Sequence, residues 1–133
     1  MTLATCDDFL NPKFVFFSPV QDIPPGTRQL EEHVDRAIIA LDGLAPIGGD
    51  WSIEQLNPVL AGRAIRVELW VNDIDDYTCT YGFLASSEDG RVPYARGERV
   101  VVCIDPSSRN PSKWSNAFRI SHAELLKDLP AYA

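Results

Sequence analysis

The run Ala64-Ile65-Arg66-Val67-Glu68-Leu69-Trp70-Val71-Asn72 most restricts what this chain can fold into. Ile65, Val67, Leu69 and Val71 alternate with Arg66, Glu68, Trp70 and Asn72. Successive side chains of a β-strand point to opposite faces, so the alternation predicts a strand with one face on a core and the other on water or an interface. Such a face needs a cover, and residues 28–44 offer one. Leu30, Val34, Ala37, Ile38 and Leu41 recur at helical spacing, with Glu31, Glu32, Asp35 and Asp42 around them. Thr27 reads as the N-cap, and Gly43 and Pro46 stop the helix.

The other elements are read from runs and breakers. Lys13–Ser18, between Pro12 and Pro19, reads as a strand buried on both faces. A short helical turn is expected at residues 53–57, ended by Asn57-Pro58. Residues 77–86 read as a strand, and so do residues 98–105. Arg91–Ala95 reads as a weak edge strand carrying Pro93, set apart by Gly97. Trp114 and Phe118 are expected to pin the polar loop around residues 106–115 to the body. Ser121-His122-Ala123-Glu124 matches a capping box and predicts a helix from there to about Leu129. The order β-α-β-β-β-α makes this an α+β fold: a mostly antiparallel sheet, a meander of three or four strands, with helices packed on one face. Residues 1–133 are read as one compact domain.

Composition narrows the function classes. Nineteen acids against twelve bases give a formal charge of −7, which disfavours direct nucleic-acid binding and anionic membranes. The charge is uneven, with a net of −10 over residues 1–90 and +3 over residues 91–133. Such an asymmetry suits steering of a basic partner. The three cysteines, Cys6, Cys79 and Cys103, are far apart and form no CxxC, so neither a disulfide framework nor a zinc site is expected. The N-terminus lacks a signal-peptide pattern and no apolar run reaches transmembrane length, which predicts a cytoplasmic location.

Catalytic patterns are sparse. Of the two histidines, His33 reads as half-exposed on its helix and His122 as a surface residue beside a cap. Cys103 and His122 could form a thiol–imidazole pair, but a Val/Ile strand would bury the thiol and disfavour the thiolate. Counted from Asp73, an EF-hand loop would need Gly and Glu where Thr78 and Leu84 stand. No phosphate-binding glycine loop is present. The expectation is therefore no catalytic residue, no metal and no cofactor.

What remains is a surface. Glu68, Trp70, Asp73, Asp75 and Asp76 combine an aromatic with acids on one strand and its turn, and are expected to bind a partner. Arg91, Arg96 and Arg99 form a second candidate, a basic ridge suited to carboxylate or phosphate. The leading expectation is a non-enzymatic, acidic binding protein of bacterial or phage type. It would occlude the basic functional surface of another protein, as immunity proteins, antitoxins and small phage inhibitors do. The alternatives are a small-molecule-binding or enzymatic α+β domain with a pocket between sheet and helix, and a structural subunit of a larger assembly.

Overall fold

The computed structural model describes residues 13–20, 27–59 and 62–126. Its elements are β1 (Phe14–Pro19), α1 (Thr27–Asp42), β2 (Trp51–Gln55), β3 (Ala64–Ile74), β4 (Thr78–Ser87), β5 (Pro93–Val102) and α2 (Asn116–Ala123). The strands form one five-stranded sheet in the order β1-β3-β4-β5-β2, with every neighbouring pair antiparallel. This is the expected α+β class, with β3, β4 and β5 as the expected meander.

One face of the sheet is continuous across the strands. Phe16 pairs with Val67, Val67 with Ala85 and Ala85 with Ala95, so these side chains share a face. Val67, Leu69, Val71, Tyr81 and Phe83 are fully buried there. The stripe of α1 is its counterpart, because Leu30, Val34, Ala37 and Ile38 are all fully buried. The helix ends where predicted. Gly43 takes φ 76°, a left-handed conformation that glycine adopts without penalty, and its N–H returns to the Ile39 carbonyl at 2.7 Å. Among the described residues, no helix is long and apolar enough to cross a membrane.

Several local expectations are corrected. β1 is an edge strand buried on one face only, since Phe17 on the other face is 48% exposed. Residues 51–55 are not helical but form β2, pairing from Trp51↔Arg99 to Gln55↔Ala95. A run of five residues carries too little periodicity to separate a strand from a helical turn. Gly97 does not divide two strands. β5 runs through it, and a Cβ there would meet the Ser52 carbonyl oxygen at 1.8 Å, so glycine is what admits β2.

The last helix starts earlier than the capping box implied. Ser115 is its N-cap, accepting from the Phe118 N–H at 3.1 Å. Ser121 lies inside the helix and donates its hydroxyl to the Phe118 carbonyl at 3.1 Å. The chain after α2 then takes β1's place along β3. Beyond Leu69, where β1 begins, the Val71 N–H donates to the Leu125 carbonyl at 2.8 Å.

Val67→Asp should cost roughly 3–5 kcal/mol, because it places an unpaired carboxylate between helix and sheet. Phe17→Asp on the open face should cost about 1 kcal/mol or less. Urea unfolding midpoints of the two variants would check this, and equal midpoints would contradict the assignment of faces.

Candidate functional site

A cavity of about 670 Å³ opens at the C-terminal end of α1. Its walls are the 44–47 segment, the end of β5 with Cys103 and Ile104, the turn carrying Pro106 and Arg109, and the rings of Trp114 and Phe118. The volume lies in the usual range of small-molecule sites, about 300–1,000 Å³. Two charged side chains line it, Asp42 and Arg109.

Asp42 belongs to a buried polar cluster assembled from three elements. Tyr81 on β4 donates its hydroxyl to Asp42 Oδ2 at 2.6 Å. Nε2 of His122, on α2, lies 2.7 Å from Asp42 Oδ1 and 2.9 Å from the Tyr81 oxygen. Nδ1 of His122 lies 2.9 Å from the Phe118 carbonyl, which can only accept, so Nδ1 carries a hydrogen. One further proton then sits between Nε2 and Asp42, and both carboxylate oxygens are engaged. Burial pushes the Tyr81 phenol far above its ordinary value, so it keeps its proton and serves as a donor. Trp114, Phe118 and His122 form a continuous ring stack, with centroids 4.0 and 3.6 Å apart. The stack wedges the imidazole against the carboxylate.

A second buried cluster ties α1 to β1. Ser18 Oγ lies 2.5 Å from His33 Nδ1 and receives Arg36 Nη1 at 3.3 Å. With the Ser18 hydroxyl donating to Nδ1, the ring hydrogen sits on Nε2, which is buried without a partner. Burial lowers the His33 pKa from its ordinary value, and the Arg36 guanidinium adds to the effect. The expectation of a half-exposed His33 is thus overturned, and so is that of a surface His122, which is 3% exposed. Both histidines sit on the inward faces of their helices.

The residues singled out from the sequence do not form one surface. Glu68 is buried on the outer face of the sheet, held by Lys13 at 3.1 Å and Arg66 at 3.2 Å. Trp70 shares that face, lies over Gly82 and donates its indole N–H to Asn72 at 2.9 Å. It lines a separate groove with Glu54, Leu84, Arg96 and Glu98. Asp75 builds the β3–β4 turn, accepting from the N–H groups of Tyr77 and Thr78 at 2.9 and 2.8 Å. Asp76 pairs with Arg119 on α2 at 2.5 Å. Asp73 is exposed beside the bulge of β3.

The three arginines are also separated. Arg91 is in the β4–β5 turn, 3.9 Å from Asp89, and Arg96 meets Glu54 on the outer face at 3.1 Å. Arg99 is buried on the helix face, holding Asp35 at 3.3 Å and lying 4.9 Å from the Trp51 ring centre. Among the described residues, no three His, Cys, Asp or Glu side chains converge as a metal site.

No protein-family model matches the sequence, and no curated protein matches it. Solved structures do resemble it. A predicted thioesterase from Bacillus stearothermophilus superposes with a TM-score of 0.70 at 12% identity, covering 86% of this chain and 96% of that one. A 1,4-dihydroxy-2-naphthoyl-CoA thioesterase from Synechocystis gives 0.66 at 14% identity, covering 85% and 97%. A thioesterase from Thermus thermophilus, complexed with coenzyme A and zinc, gives 0.71 at 16% identity, covering 86% and 95%. The shared architecture is the hotdog-like fold, here a five-stranded antiparallel sheet packed against the long helix α1.

This finding overturns the expectation of a non-enzymatic immunity, antitoxin or inhibitor protein. That expectation took an acidic strand and turn for a docking face. In the structure Glu68, Asp75 and Asp76 are engaged in ion pairs and turn geometry. The cluster beside the cavity was missed because Asp42, Tyr81 and His122 lie 39 to 80 residues apart. A usable signal existed for one member. Phe118 and His122 stand at i and i+4, the spacing of one helix face, and Trp114 continues that spacing just before the N-cap.

Two solution measurements check these environments. His33 is neutral when buried and charges more readily in the unfolded chain. Its contribution to stability is therefore present above its ordinary 6.5 and lost as pH falls from there toward the lowered folded value. Unfolding free energies between pH 8 and 5 should fall on the acid side, and His33→Gln should flatten that loss; parallel curves would remove His33 as its source. Separately, burial pushes the Cys79 thiol up to about 12. Ellman's reagent at pH 8 should leave Cys79 unmodified in folded protein while reaching the partly exposed Cys103. Fast modification of Cys79 would contradict its burial.

Proposed function

We propose that this chain is a thioesterase acting on coenzyme A thioesters of apolar acyl groups. One observation carries the reading: the fold superposes on those of thioesterases over most of both chains, and one of these is complexed with coenzyme A. In thioester hydrolysis, a water oxygen attacks the carbonyl carbon and the C–S bond breaks. The water's proton ends on the departing thiolate, leaving a free acid and a thiol. The chemistry needs an apolar site for the acyl group and a group that takes the water's proton.

The cavity at the end of α1 suits the first need. Asp42, the carboxylate on its wall, is the candidate for the second, with Tyr81 and His122 as positioning residues that fix its orientation. Asp42 also sits at a helix C-terminus, where the backbone dipole disfavours a negative charge. The donors from Tyr81 and His122 offset that cost. A cytoplasmic setting accompanies this reading, in keeping with the free thiols of Cys79 and Cys103.

The test is a panel of acyl-CoA substrates, short, long and aromatic, with release of free coenzyme A followed by chromatography. Turnover of at least one apolar acyl-CoA is expected. Asp42→Asn should lower kcat by about 100-fold or more, with the fold intact by circular dichroism. No cleavage across the panel by the unaltered protein would remove the reading. Unchanged kcat in Asp42→Asn would move the chemistry away from this cluster.

A further inference from the structure

The cavity at the end of α1 contains an unused cation. Asp42 is held by Tyr81 and His122, and the hydrolysis proposed above already uses its carboxylate. Arg109 is different. Among the described residues its guanidinium has no ion pair and no hydrogen bond, although it lines the cavity and is exposed at its mouth.

Its placement is fixed by the backbone. Arg109 has φ 63°, the left-handed region that non-glycine residues seldom occupy. The turn holds it there. The Arg109 N–H donates to the Asp105 carbonyl at 2.7 Å, and the Asp105 N–H donates to the Asn110 carbonyl at 2.9 Å. The Asp105 carboxylate accepts from the Ser108 hydroxyl at 2.9 Å, and Ile104 bridges Pro111 beneath the turn. Asn or Gly would occupy such a position with less strain. An arginine there puts a planar, permanently charged donor beside a chamber whose other walls are apolar except at Asp42.

We propose that this cavity binds an apolar molecule ending in a single carboxylate, such as a medium-chain fatty acid. The tail would lie against Leu44, Ile47 and Ile104, facing the Trp114 and Phe118 rings, with the carboxylate on the Arg109 guanidinium. Arg matches a carboxylate with two parallel N–H donors, and the apolar walls supply the area-dependent part of the affinity. The inference deepens the reading given above, since the cavity is the one assigned to the acyl group and a free acid is what that hydrolysis releases, but holding the acid requires no turnover.

Calorimetric titration of the full chain with decanoate, below its micelle-forming concentration, tests the site, with decanol as the uncharged comparison. Saturable decanoate binding is expected. Arg109→Gln should weaken decanoate by about tenfold and leave decanol nearly unchanged, while Arg109→Lys should keep most of the affinity. Ala45→Trp, at an exposed position on the cavity wall, should weaken both ligands. Location is read from Cys103, which lines the same cavity. Its alkylation by iodoacetamide, followed by peptide mass spectrometry, should slow several-fold in saturating decanoate. The proposal fails if decanoate does not bind, if Arg109→Gln weakens acid and alcohol equally, or if decanoate leaves Cys103 alkylation unchanged. None of these readouts involves a thioester, so its failure and that of the hydrolase reading are separable.

Discussion

The apolar stripe of α1 and the apolar face of the sheet bury each other, and the rest of the molecule is arranged around that contact. Leu30, Val34, Ala37 and Ile38 have one wide surface to cover, made by Val67 and Leu69 of β3 with Tyr81 and Phe83 of β4. Each fully buried side chain of this size contributes about 1.5–3 kcal/mol, so a slip of the helix by a turn would expose several such contributions at once. The position of α1 therefore decides where its other side chains go. Its C-terminal Asp42 arrives beside Tyr81, and its middle turns deliver His33 to Ser18 and Asp35 to Arg99.

Those polar contacts share a pattern. Each joins α1 to a distant element, and each has at least one partner buried. Buried ion pairs and hydrogen bonds contribute little net stability against a well-packed apolar alternative, but a half-made one is costly. Their effect is selective: only one seating of the helix satisfies Asp42, Asp35 and Arg99 together. His33 is the partial exception. Its Nε2 is buried without a partner, an arrangement that forfeits about 1–3 kcal/mol and is tolerated inside a strong apolar contact.

The charge distribution has a different meaning in the structure from the one its asymmetry suggested. Glu68 is neutralised by Lys13 and Arg66, Asp76 by Arg119, and Asp75 is bound to backbone N–H groups of its own turn. Charge counted along a sequence treats every acid as free to act at a distance. Folding pairs many of them locally, and only the remainder creates an outward field. The chemistry instead gathers at the end of α1, where an apolar chamber is lined by Asp42, itself held by an imidazole and a phenol, and by Arg109, whose guanidinium has no partner among the described residues.

The sequence by itself determined the elements whose periodicity is long and clean. The alternation in residues 64–72 defined β3 and its buried face, and the stripe from Leu30 to Leu41 defined α1, because burial of each depends on the repeat of its own backbone. It also determined the α+β class and the meander. Only the tertiary structure decided the identity of β2, the continuity of β5 through Gly97 and the inward turn of both histidines. Five residues at a sheet edge adopt a strand because β5 offers unpaired N–H and C=O groups, which no property of Trp51–Gln55 alone announces. The site was hidden for the same reason. Asp42, Tyr81, His122 and Arg109 come from a helix end, a strand, a second helix and a turn, and their meeting depends on how both helices pack against the sheet.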